Sequence, residues 1–211
     1  MQIIERYDRQ FEYGGILMNL FVAYQFFTLW FDPQINDTGR LATLSVMMLF
    51  EFVMVHSGVF MALMPKKLSL YILFPIYGLF ALAINSMAEN NIVLIAYLLV
   101  VFNRMRFAFS DVSKEIRNRI ITTSVLGALI YFFMLFFFLL AADYIPKFGL
   151  TDEFLKITGY GRSIYTEGAF VDIPHAIMAF GLCYYSSLAL IEALFLNRNF
   201  APKPTRKLSK R

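Results

Sequence analysis

Ile120–Ala142 reads IITTSVLGALIYFFMLFFFLLAA, twenty-three residues without one charged side chain. A helix needs about 20 predominantly apolar residues to cross about 30 Å of hydrocarbon. This stretch meets that length, and five others also qualify: 14–31, 41–64, 68–87, 91–109 and 169–195. The fourth is the weakest. Its uninterrupted apolar run, Ile92 to Phe102, is short, and Arg104 and Arg106 then have to reach back toward the headgroups.

The composition of the whole chain agrees with these runs. Of 211 residues, 59% are hydrophobic, 16% are charged and 24 are phenylalanine. A soluble domain carries about 45–50% apolar and about 25% charged residues. One water-bounded core cannot absorb that apolar surplus, and disorder, collagen-like repeats and disulfide scaffolds are excluded on the same grounds. Cys183 is the single cysteine, so an intramolecular disulfide, a CxxC redox pair and a thiolate zinc cluster are all ruled out. With only His56 and His175, the chain lacks the ligands for a membrane diiron centre or a three-histidine zinc site.

Charge placement sets an expected orientation. The opening MQIIERYDRQFEYGG carries charges where a secretory signal would begin its apolar region, so the first hydrophobic segment is expected to stay as a membrane helix. With the N-terminus in the cytoplasm and six spans, fifteen of the nineteen Lys and Arg residues fall inside, and Arg40, Lys147, Lys156 and Arg162 fall outside. That matches the positive-inside rule at every loop. The expected fold is therefore an all-α integral membrane protein, with six transmembrane helices in one bundle and both termini cytoplasmic. Residues 1–198 form the transmembrane domain, and 199–211 form a basic, disordered cytoplasmic tail. The expected location is multi-pass, in a bacterial inner membrane or an equivalent organelle membrane.

The one long connection, Asp143 to Gly168, contains Thr151-Asp-Glu-Phe-Leu-Lys-Ile157. An N-capping threonine, early acids and then apolar positions predict a short interfacial helix there, ended by Gly159.

Ionisable groups inside spans are functional candidates by default. Glu51, His56, Asp172 and His175 make up the candidate intramembrane polar site. At 1.5 Å per residue, Glu51 lies about 3 Å to one side of the centre of the second span, and His56 about 4 to 5 Å to the other. An acid at that depth needs a proton or a donor from another span, and Gln25 and Tyr24 of the first span stand at a similar height. Glu51 reads either as a proton or cation relay or as a neutral, hydrogen-bonded structural acid. His56, followed by Ser57-Gly58, reads either as a packed neutral imidazole or as a ligand or proton carrier. His175 and His56 differ in depth by about 15 Å, which argues against a shared haem. Asp172 and His175, three apart, would share a helix face, so the aspartate could orient the imidazole or simply cap the helix. Glu192 reads as structural, within reach of Arg198 or Arg104.

HExxH, a glycine-rich phosphate loop and the serine- and aspartyl-protease motifs are all absent. Three functions stay open. The first is a non-catalytic accessory or assembly subunit of a membrane complex. The second is a small proton- or cation-coupled transporter or channel using Glu51 and His56. The third is a metal- or cofactor-binding membrane enzyme using His56, Asp172 and His175, with His56 and His175 as weak metal candidates. No cofactor is asserted and no catalytic residue is assigned. The expected partners are the lipid bilayer and either other membrane subunits or further copies of the chain, with no nucleic acid.

Overall fold

The computed structural model describes residues 6–86, 91, 94, 95, 98, 113–160, 168–196 and 198. Among them all regular structure is helical: α1 (Asp8–Phe31), α2 (Thr38–Leu63), α3 (Phe74–Asn85), α4 (Lys114–Leu140), α5 (Asp152–Thr158), α6 (Ala169–Asp172) and α7 (Pro174–Phe195). Four of these, α1, α2, α4 and α7, are long and apolar enough to cross a membrane. The fourth expected span, 91–109, lies almost wholly outside the described residues, as do Met87 at the end of the third and the tail 199–211.

Proline and capping chemistry set the helix ends. Pro33 and Pro65 disfavour helical backbone in the residue before them. Asp32 and Met64 accordingly leave the helical region, at φ −144°, ψ 62° and φ −76°, ψ 159°. Between α1 and α2, the Gln34 backbone N–H donates to Asp37 Oδ2 at 3.0 Å across a 3₁₀ turn, Ile35–Asp37. Ser113 Oγ caps α4 by accepting from the Ile116 N–H at 3.3 Å. Ahead of α3 the chain winds through Lys66–Leu68 and a widened π turn, Ser69–Leu73, in which the Phe74 N–H reaches Ser69 O. Pro75 follows at once. It has no N–H to give the preceding turn, and the wider turn sits where that donor is lost.

The predicted helix after Thr151 forms as α5. Thr151 Oγ1 accepts from the Phe154 N–H at 3.2 Å, and Gly159 closes the helix at φ 65°, a left-handed conformation that costs glycine little. The sixth expected span, in contrast, is not one continuous helix from 169. Ile173, at φ −122° and ψ 62°, separates α6 from α7, and Pro174 begins the long helix at its first position.

α1 and α4 run toward one end of the bundle, and α2 and α7 run away from it. α7 packs most extensively on α1 and also meets α2 and α4. The close approach of α1 and α7 depends on Gly181, where a Cβ would stand 2.4 Å from the Phe26 ring. Phe26 is fully buried and stacks on Tyr185 at 5.8 Å. Fitted contacts of this kind supply cohesion through dispersion attraction between closely packed atoms.

The segment 142–160 folds over one end and is tied to three helices. Trp30 Nε1 donates to Pro146 O at 2.9 Å, and the Gly149 N–H donates to Trp30 O at 3.1 Å. Phe148, at φ 43°, stacks on Phe31 at 4.2 Å. The Tyr160 hydroxyl lies 3.3 Å from Ser45 Oγ, and burial pushes that phenol up to about 12, so it stays neutral. On the segment's surface, Lys147 Nζ bonds both oxygens of Asp152 at 2.6 and 2.8 Å and holds that carboxyl below its usual range. At the opposite end, the Arg119 guanidinium of α4 meets Asp8 and Glu12 of α1, with Glu12 Oε1 at 3.3 Å.

Candidate functional site

Glu51 lies thirteen residues from the start of α2 and twelve from its end, about 20 and 18 Å along the axis. Tyr184 stands at the corresponding middle of α7, ten residues from Pro174 and eleven from Phe195. Helix geometry thus brings a carboxylate and a pair of phenols to one level. Packing turns them toward each other. Tyr184 Oη donates to Glu51 Oε1 at 3.0 Å, and Tyr185 Oη donates to Glu51 Oε2 at 3.4 Å. Glu51 is only 4% exposed and Tyr184 is fully buried.

A third tyrosine closes the cluster. Tyr131 of α4 stands edge-on to Tyr184 at 5.2 Å and lies within electrostatic reach of Glu51. Its hydroxyl is committed elsewhere, donating to Met48 O of α2 at 2.7 Å. Gly127, one turn before Tyr131, leaves room for Leu188 and the Tyr184 hydroxyl. Phe26 of α1 seals the flank by stacking on Tyr185. The outcome is a carboxyl group held between helices by two phenols, inside a ring of aromatic side chains.

The donors expected from the first span are not the ones used. Gln25 instead accepts from Arg40, which also pairs with Asp37 at 2.6 Å, and the Tyr24 side chain is exposed. Depth arithmetic gives a residue's height on a helix but not the direction it faces. Tyr184 and Tyr185 satisfy the same arithmetic, since both stand next to the midplane of the last span at Leu182 or Cys183.

His56 does not join Glu51. Its Nδ1 lies 2.7 Å from Phe52 O, one turn back on the same helix, and its ring rests against Phe52 at 4.4 Å. A carbonyl can only accept, so the Nδ1–H is the donor in this bond. His175 is buried at the capped end, where its Nε2–H donates to Ala142 O at 3.1 Å and anchors the outset of the 142–160 segment.

Asp172 and His175 are not partners on one helix face, because the break at Ile173 lies between them. Asp172 Oδ2 accepts from the Gly168 N–H at 3.2 Å and so closes α6 on itself, the capping role. Among the described residues, no three His, Cys, Asp or Glu side chains come together to hold a metal ion. No family model matches the chain, and no curated protein or solved structure is similar to it.

Proposed function

We propose that the chain is a six-span integral membrane protein with both termini cytoplasmic, acting as a non-catalytic accessory or assembly subunit of a membrane complex. The observation that carries this reading is how the polar groups of the spans are used. Glu51 is held by two tyrosines, and His56, His175 and Asp172 each bond to backbone. Polar side chains spent in this way fasten helices and loops. Among the described residues, α1 and α4 meanwhile keep large apolar side chains exposed, Leu17 and Phe21 on the first and Phe133 and Phe137 on the second, which offers apolar faces to lipid and partner helices.

The distribution of Lys and Arg supports the six-span count and the orientation, since each connection then obeys the positive-inside rule. Cysteine mapping tests this directly, because Cys183→Ser gives a background with no other thiol. Cysteines at Gln34 and Tyr144 should label from outside, and cysteines at Ser113 and Thr205 from inside. Labelling of Ser113Cys from outside would overturn the topology.

Native mass spectrometry of the chain extracted with its lipids tests the accessory role. The expected result is an assembly of fixed stoichiometry that is lost when Phe133→Gln and Phe137→Gln alter the exposed face of α4. A monodisperse monomer that moves protons or cations in vesicles would replace this reading with a transporter built on Glu51 and His56. The central burial of Glu51 is what favours that second reading.

A further inference from the structure

We propose that the outward face of α1 binds an anionic phospholipid, with the phosphate against Arg6 and Arg9 and the acyl chains along Leu17 and Leu20. The proposal rests on the membrane reading above and names the lipid that this face selects. The argument starts from the helical period, which divides α1 into two faces. Asp8 and Glu12 fall, at spacings of three and four, on the side that carries the buried Gly15, Asn19, Ala23 and Phe26. Their carboxylates turn inward to the Arg119 guanidinium of α4, and the two side chains are only 13% and 11% exposed. The acids of this helix end are therefore withdrawn from its surface.

The other side reads differently. Arg9, Tyr13, Leu17, Leu20 and Tyr24 follow one another at the same spacings, and all five are exposed. A base comes first, then a phenol one turn, about 6 Å, further along, then aliphatic side chains. A phospholipid presents its groups in that order: phosphate, ester level, acyl chain. Tyrosine is at home at the ester and headgroup level. From Tyr13 to Tyr24 is about 16 Å, against about 15 Å of hydrocarbon in one leaflet.

Charge decides which phospholipid fits. Arg6 is exposed just ahead of α1, with its guanidinium 5.7 Å from the centre of the Tyr7 ring. The ion pairs of Arg119 bring the start of α4 to this same end, and there Lys114 and Arg117 are exposed while Glu115 is half-buried. At the capped end, in contrast, Asp32, Asp143, Glu153 and Asp172 are exposed. A zwitterionic lipid would supply the chains without net charge, and a soluble anion the charge without chains. An anionic phospholipid satisfies both halves of the face. Each base near the surface favours it by about five-fold, an effect that salt screens.

Fluorescence quenching by nitroxide-labelled lipids tests this on the full chain in mixed phosphatidylcholine and phosphatidylglycerol vesicles. In the Cys183→Ser background, a thiol fluorophore is placed on Leu17→Cys in one sample and on Leu140→Cys, at the capped end, in another. At Leu17→Cys, labelled phosphatidylglycerol should be preferred over labelled phosphatidylcholine by about five-fold or more. At Leu140→Cys the two lipids should quench about equally. Arg6→Gln combined with Arg9→Gln should bring the Leu17→Cys ratio close to one, and raised salt should lower it with both arginines in place. An equal ratio at the two positions overturns the proposal, as does a preference unmoved by both the arginine substitutions and salt. Quenching itself would still uphold the membrane reading in those cases. No quenching by either lipid at either position would overturn that reading and this proposal together.

Discussion

Gly181→Ala is the substitution that most directly tests how the bundle is held together. A Cβ at this position would stand 2.4 Å from both Cδ1 and Cε1 of Phe26 and 2.6 Å from Cζ. Ordinary carbon contacts lie at about 3.5–4.0 Å, so the helices or the ring must give by about 1 Å. The ring has little room to do so, being fully buried and stacked on Tyr185 at 5.8 Å with 20° between planes. Overpacking of a fitted interior costs about 1–3 kcal/mol, and a pinned aromatic ring belongs at the upper end. Replacing a helical glycine by alanine returns about 1 kcal/mol through backbone entropy. The net expectation is about 2 kcal/mol of destabilisation, or about thirty-fold in the folding equilibrium.

Denaturing-detergent titration in mixed micelles measures this, followed through Trp30, the single tryptophan, at the capped end. Gly14→Ala is the matched control, since among the described residues nothing lies within 4 Å of a Cβ there, and it should be neutral or slightly stabilising. In a Phe26→Ala background the cost of Gly181→Ala should largely vanish, because the atoms that clash are gone. Equal stability of the Gly181 and Gly14 variants would refute the packing argument, and so would an undiminished cost once Phe26 is truncated.

Other expectations rest on single bonds. Tyr131→Phe removes the donor to Met48 O while keeping the ring, and should cost about 1 kcal/mol in the same titration. Arg119→Met leaves Asp8 and Glu12 facing each other without their shared cation, and should destabilise by about 3 kcal/mol, with little dependence on salt because the group is buried. Asp152→Asn should have a small effect that shrinks further as salt is added, since the pair with Lys147 is exposed. Because the folded Asp152 carboxyl is held below its usual range, its contribution is present above that range and is lost as pH falls through the lowered value; hydrogen exchange at Phe154 and Leu155, compared between native and Asp152→Asn chains, should converge at acid pH.

Much of the helical layout is legible in the apolar runs, and its departures have physical causes. The run 14–31 ends where α1 ends, at the Asp32–Pro33 step. α1 starts six residues before that run, and α4 starts at Lys114 rather than 120. Backbone hydrogen bonding continues through Asp8, Glu12, Glu115 and Arg117, while hydropathy counts those side chains against a span. The break at Ile173 was written in Pro174, whose effect falls on the residue before it. In the site, Glu51 stands out from sequence because a mid-span acid is costly, and its depth follows from counting. Its partners do not, because the azimuth of α7 around its axis is set by contacts such as Phe26 on Gly181. Phenols also look like ordinary aromatic filling until a structure places their hydroxyls.

The pairing of α1 with α7 carries a consequence for synthesis of the chain. Among the described residues, α1 has its most extensive contact with α7, a helix made about 140 residues later. At about 5–20 residues per second, α1 waits about 7 to 30 seconds for that partner. The ties from Gly149 and Pro146 to Trp30 arrive shortly before it. During that interval the Phe26 ring has no Gly181 to lie against. High contact order of this kind favours closure as a late, concerted event. A chain halted before Gly181 is translated would leave α1 without the surface it is fitted to.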